Sequence, residues 1–138
     1  MKILSLDYGY KRIGVSVGEI KVGIAFPRDI LFNDKRVNEE ILKICEHNAI
    51  KKIIIGHPLM LDSSPSESSE RVLVFKEELE KYFKKKKCDL IVELFDERFS
   101  TNIAEYKIKL HPKQKKLKKY VDSFAAQVIL EDYFRRNS

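Results

Sequence analysis

An apolar run without polar alternation at residues 53–55 (III) constrains the fold of this chain more than any other feature. A strand that is apolar on both faces must be covered on both faces, which is typical of parallel strands in α/β proteins. Before this run, Val37, Ile41, Ile44 and Cys45 recur at helical spacing, so the strand follows an amphipathic helix. The sequence therefore predicts a sheet with helices on both of its faces.

Three short alternating runs precede that helix and predict an antiparallel meander. Residues 3–7 alternate and end in an acid, and residues 13–17 alternate after a short turn. Residues 22–26 form the third run, which we expect to end before Pro27. Asp34 then stands where it can cap the following helix.

The second half of the chain continues the alternation of helix and strand. Ser64, Pro65 and Glu67 match a capping box and predict the start of a helix. A strand is predicted over residues 90–95 and a last helix over residues 121–135. The fold class that follows is α/β, with a mixed five-stranded sheet whose first three strands are antiparallel.

Length and charge narrow the classes of function. The chain has 138 residues, the size of a single domain, so we assign residues 1–138 to one domain. Lys and Arg number 27 against 21 Asp and Glu, a net charge of +6, which favours a polyanionic partner such as nucleic acid, although lysines also serve solubility. No apolar stretch suits a membrane span or a signal peptide, so we expect a cytoplasmic protein with two reduced cysteines.

Acidic residues stand at predicted strand ends, where ligands of parallel sheets collect. Asp7 ends the first strand and the pair Asp96 and Glu97 follows the fifth, while Asp122 begins a helix that should pack on the sheet. Three carboxylates gathered from distant segments suit Mg²⁺, a hard cation with oxygen ligands. Each acid also has an ordinary structural alternative, as a turn former, an N-cap or an ion-pair partner.

Four segments, in this order and spacing, resemble the YqgF family of Holliday-junction-resolvase-like proteins, which are also described as pre-16S rRNA nucleases. They are residues 6–16 (LDYGYKRIGVS), 54–59 (IIGHPL), 96–101 (DERFST) and 122–130 (DSFAAQVIL). Four ordered motifs are far more specific than one. The resemblance implies an RNase H-like fold. One departure is residues 63–66 (SSPS), where the family tends to have glycine, so the shape of this loop is open.

The resemblance also implies the roles of individual residues. Asp7, one acid of the pair Asp96 and Glu97, and Asp122 would hold catalytic Mg²⁺ or Mn²⁺. Adjacent strand residues face opposite sides, so only one of the pair should point into the site, and we choose Glu97. The basic side chains inside the matched motifs would contact phosphate groups. These are Lys11, Arg12 and Arg98.

The activity implied is a metal-dependent endonuclease that processes pre-16S rRNA during ribosome biogenesis. Two alternatives stay open: a resolvase of branched DNA, which would act as a homodimer, and a non-catalytic rRNA-binding or ribosome-binding assembly factor. The last would use the basic stretches 84–87 and 113–119. An actin-like ATPase is disfavoured because such folds need two domains around the nucleotide.

Overall fold

The computed structural model describes residues 1–58, 66–96 and 118–137, and only the backbone of residues 118–122. These residues form five strands and three helices. The elements in chain order are β1 (Lys2–Asp7), β2 (Arg12–Glu19), β3 (Ile24–Phe32), α1 (Val37–His47), β4 (Ile50–His57), α2 (Glu67–Lys85), β5 (Ile91–Asp96) and α3 (Lys118–Arg136).

The five strands form one mixed sheet in the order β3-β2-β1-β4-β5. β1, β2 and β3 pair antiparallel, whereas β4 pairs parallel with both β1 and β5. The predicted mixed sheet with an antiparallel meander at its start is therefore confirmed. β1 lies at the centre, where its two neighbours cover both of its edges.

Each face of the sheet has its own hydrophobic core. α1 and α2 cover one face, where Ile53 and Ile55 of β4 are buried. α3 covers the other face, where Ile54 is buried beside Ile129. All three isoleucines are fully inaccessible to solvent. The apolar run of β4 is thus covered on both faces, as predicted, because helices lie above and below it.

β3 differs most from its prediction. The strand does not end before Pro27 but continues to Phe32, and Ile24 and Phe26 are exposed while Ala25 is buried. β3 is an edge strand, so a proline without an N–H group is tolerated there. The predicted alternation of β3 is present, but the sequence did not indicate which side of the strand is buried.

The helix starts also differ. α2 begins after Ser66, which forms a capping box with Ser69, instead of the predicted box at Ser64. Asp34 does not cap α1, since its carboxylate accepts a hydrogen bond from the Arg36 backbone in the preceding turn. α3 begins at Lys118, three residues before the predicted start. In the predicted basic stretch, residues 113–117 lie outside the described residues.

Within the described ranges, no helix is long and apolar enough to cross a bilayer. Both cysteines are unpaired, as expected: Cys45 is buried in the core and Cys88 is partly exposed. Burial raises the pKa of the Cys45 thiol to about 12, so this side chain is a packed apolar group and not a nucleophile.

Candidate active site

The carboxyl ends of β1, β4 and β5 meet at one edge of the sheet, named here the carboxyl edge. Asp7, His57 and Asp96 are the last residues of these three parallel strands. His57 and Asp96 are direct partners in the β4–β5 register. Polar residues at this edge have the position at which α/β sheets bind ligands.

Asp7 lies on the face of the sheet that α3 covers. Ile3 and Ser5, which share its side of β1, both contact α3, and strand alternation gives Asp7 the same orientation. The residue is 8% exposed. Its partner on β2 is Gly14, which contributes no side chain next to Asp7.

Two buried serines fix α3 across the centre of the sheet. Ser5 Oγ of β1 and Ser16 Oγ of β2 donate hydrogen bonds to the Ala126 carbonyl at 2.5 and 3.0 Å. The two hydroxyls also contact each other at 2.8 Å. Since a buried polar group without a partner is costly, this arrangement selects one position of α3 on β1 and β2.

A third serine, Ser123, binds the beginning of α3 to β2 and β3 near Asp7. Ser123 Oγ accepts a hydrogen bond from the Val15 N–H at 3.4 Å and donates to the Arg28 carbonyl at 2.5 Å. Val15 follows Gly14, the partner of Asp7. The Asp122 backbone therefore lies in α3 directly before Ser123, which is hydrogen-bonded to β2 next to the partner of Asp7. The side chain of Asp122 lies outside the described residues.

The β1–β2 turn is tied to the β3–α1 turn by Asn33. Its side-chain Nδ2 donates to the carbonyls of Gly9 and Tyr10 at 3.0 and 3.2 Å, and its backbone N–H donates to the Lys11 carbonyl at 2.9 Å. Lys11 is exposed and Arg12 is half-buried. Arg12 shares its side of β2 with Gly14 and Ser16, so it lies on the same face as Asp7.

Substitution of Gly9 by alanine should distort this turn. A Cβ atom at Gly9 would lie 2.3 Å from the Arg12 carbonyl oxygen, a backbone atom that cannot rotate away. We expect Gly9→Ala to destabilise the protein by about 1–3 kcal/mol, as overpacking does. Urea unfolding monitored by circular dichroism measures the change, and an unchanged midpoint would show that the turn shifts without cost.

His57 and Asp96 occupy the opposite face of the sheet. Ile53 and Ile55 share the side of β4 that His57 takes, and this side faces α1 and α2. Burial lowers the pKa of His57 because it disfavours the imidazolium, although the charge of Asp96 acts in the other direction. His57 Nε2 is shielded from solvent and has no hydrogen-bond partner among the described residues. His57 is the last residue of β4, which extends two residues beyond the apolar run 53–55.

The structure thus places three of the six predicted site residues at the carboxyl edge: Asp7, Lys11 and Arg12. Glu97 and Arg98 lie outside the described residues, as does the side chain of Asp122. In the described ranges, no group of three His, Cys, Asp or Glu side chains is arranged to hold a metal ion. A metal site would therefore need Asp7 together with ligands from the remaining segments.

The serines and Asn33 were missed as supports of this site. Ser5 and Ser16 could have been found, because strand alternation puts them on the same faces of β1 and β2 as Asp7 and Gly14. A serine on a face that is otherwise apolar indicates a buried hydrogen-bond partner. No pattern in the sequence identified the carbonyl of Ala126 as that partner.

The sequence matches the family described as "RuvX: Holliday junction resolvase" over residues 1–136. Curated relatives carry the name "Putative pre-16S rRNA nuclease". The relative from Malacoplasma penetrans is 35% identical over 133 residues, which is 96% of this chain and 92% of the relative. The relative from Sulfurihydrogenibium sp. is 36% identical over 137 residues, which is 99% of this chain and 92% of the relative.

Two solved structures resemble the fold at low sequence identity. RuvC of Thermus thermophilus in complex with Holliday junction substrate has a TM-score of 0.56 at 10% identity, covering 99% of this chain and 96% of RuvC. The fowlpox virus Holliday junction resolvase has a TM-score of 0.52 at 15% identity, covering 99% of both chains. These resemblances concern the fold alone, and they confirm the expected RNase H-like architecture.

Proposed function

Because the chain belongs to the RuvX family of Holliday junction resolvases, we propose that it is a nuclease that hydrolyses phosphodiester bonds and that its substrate is pre-16S rRNA. The substrate is the one named for relatives that are aligned over nearly the whole chain. Residues 1–138 would then act as a single nuclease domain in the cytoplasm, where rRNA is matured.

The position of Asp7 is the observation that supports this proposal most. Its carboxylate is enclosed at the carboxyl edge, on the face where the start of α3 is bonded to β2. Asp122 precedes Ala126 by four residues, and residues at this spacing share one side of a helix. The Ala126 carbonyl accepts hydrogen bonds from the sheet, and we therefore propose Asp122, four positions earlier in the sequence, as a further acid of this site.

We propose that Asp7, Glu97 and Asp122 hold Mg²⁺ or Mn²⁺. The oxygen donor of Asp7 suits a hard divalent cation. Asp96 lies on the face of His57 and not on that of Asp7, so we propose Glu97 and not Asp96 as the ligand from this pair. Bound divalent ions would stabilise the negative charge that develops at the phosphate during hydrolysis.

The basic residues have a separate role in this proposal. Lys11, Arg12 and Arg98 would hold the phosphate groups on either side of the bond that is cleaved, since charge-assisted hydrogen bonds to phosphate are strong. None of the carboxylates in the described ranges forms an ion pair with Lys11 or Arg12. We propose that both side chains bind an anionic substrate.

Parallel cleavage assays on two substrates test the proposal. We expect cleavage of a pre-16S rRNA fragment with Mg²⁺ or Mn²⁺, loss of cleavage on chelation by EDTA, and little cleavage of a four-way DNA junction. Preferred cleavage of the junction by a dimeric enzyme would instead support the resolvase function that the family description names. Tight binding of rRNA with no cleavage of either substrate would support the assembly factor.

A further inference from the structure

We propose that Phe32 is a stacking platform for an unpaired base beside the active site, so that the enzyme takes a single-stranded segment of nucleic acid. This inference rests on the proposed nuclease function for its biological meaning, but it concerns binding and is tested without cleavage. It assigns a substrate class to the site: unpaired nucleotides and not a continuous duplex.

Phe32 lies on the same face of the sheet as Asp7. It is the last residue of β3 and pairs with Arg12 of β2, beyond the end of β1. The preceding pair, Leu31 and Ile13, contacts the core beneath α1 and α2. Alternation therefore puts Phe32 and Arg12 on the other face. From strand spacing and rise, the Cα atoms of Phe32 and Asp7 are separated by about 12 Å.

The ring of Phe32 is available for contact with a ligand. Phe32 is 66% exposed, although burial of a phenylalanine side chain away from water is energetically favourable. Its ring forms no aromatic or cation–π contact with the rest of the described chain. An exposed aromatic face of this kind stacks on any of the four bases.

Basic residues stand beside Phe32: Arg12 is its partner on β2, and Lys35 and Arg36 follow it in the chain after Asp34. Asn33 joins the turn that carries Lys11 to the turn that carries Lys35 and Arg36, through hydrogen bonds of 2.9 to 3.2 Å. Lys11, Lys35 and Arg36 are exposed and Arg12 is half-buried. Within the described ranges, these four side chains form no ion pair with a carboxylate. Phosphate groups would supply the missing counter-charges.

This combination favours nucleic acid over a second copy of the chain. Exposed aromatics on edge strands also serve as dimer contacts. A two-fold contact centred on Phe32 would, however, bring the four cations against their own copies, and like charges across an interface are unfavourable. An exposed aromatic ring beside basic side chains is instead the combination that binds single strands.

Binding of a single-stranded RNA oligonucleotide, measured by fluorescence anisotropy, tests the proposal. We expect Phe32→Ala to weaken this binding about fivefold or more, the effect of losing one stacked base, and to leave binding of the fully paired duplex unchanged. Phe32→Tyr should retain the affinity and Phe32→Leu should lose it, because tyrosine keeps a ring and leucine does not. Quenching of 2-aminopurine in the oligonucleotide should report stacking and should disappear in Phe32→Leu.

Phe26→Ala is the matched control. Phe26 is the same residue type on the same strand and is 61% exposed, but it pairs with Val17, far from the carboxyl edge and on the opposite face. Equal RNA affinities of the Phe32→Ala and Phe26→Ala variants would overturn the proposal. A Phe32→Ala variant that no longer dimerises but binds RNA as tightly as the wild type would also overturn it. A wild-type protein that binds and stacks RNA without cleaving it would contradict the nuclease function but not this inference.

Discussion

Replacement of Asp7 by asparagine should lower the rate of rRNA cleavage by about 10²–10³-fold, the range for loss of one preorganised electrostatic contact in an active site. Asparagine keeps the size of the side chain but removes the negative charge that divalent cations require. The Asp7→Asn variant should stay folded, because asparagine keeps the shape of the side chain in the row of Ile3 and Ser5 on β1. Single-turnover cleavage and thermal unfolding together measure the two effects.

Asp89→Asn provides the control for Asp7→Asn. It removes the same charge from an exposed aspartate that precedes β5, at the opposite edge of the sheet. Its cleavage rate should match that of the wild type. If Asp7→Asn cleaved as fast as Asp89→Asn, Asp7 would not belong to the catalytic set and the proposed metal site would lose its one ligand in the described residues.

Replacement of Ile54 by alanine should destabilise the protein by about 2–5 kcal/mol, as other large-to-small changes in cores do. Ile54 is fully buried between the sheet and α3, in the cluster with Ile129 and Leu130. Truncation would leave a cavity that rigid neighbouring strands on both sides prevent from closing. Urea unfolding measures the loss of free energy.

Ile24→Ala is the control that distinguishes the loss of buried side-chain volume at Ile54 from the loss of isoleucine's preference for strands. Ile24 also lies in a strand but is 49% exposed at the edge of the sheet. Its substitution should cost about 1 kcal/mol or less. Equal losses for both variants would mean that α3 does not cover this part of β4.

The central part of the fold could be predicted because its local patterns and its tertiary environment agree. Residues 53–55 have apolar side chains on both sides, and the structure covers both sides of β4. The alternation of residues 3–7 placed Asp7 at a strand end with Ser5 on the same side, and the structure confirms both. In β2, alternation likewise puts Arg12, Gly14 and Ser16 on one side, and in the structure Ser16 contacts α3 on the face of Asp7.

Sequence patterns failed where a long-range contact decides between similar local signals. Ser64 and Ser66 are both good N-cap residues, and Ser66 is used because it also donates a hydrogen bond to the Pro58 carbonyl at the end of β4. Pro27 normally ends a strand, but β3 lies at the edge and continues. The pairing of Ser5 and Ser16 with one carbonyl of α3 depends on the packing of the whole sheet and is invisible locally.

The hydrogen bond between Ser5 and Ala126 spans 121 positions of the polypeptide. Contacts of such high sequence separation form late, because closing so long a loop costs chain entropy before any favourable contact is made. A partially synthesised chain that ends before residue 126 would have β1 and its aspartate but no complete α3 to cover this face of the sheet. Any chemistry shared by Asp7 and α3 would therefore begin only after nearly the whole polypeptide had emerged and folded.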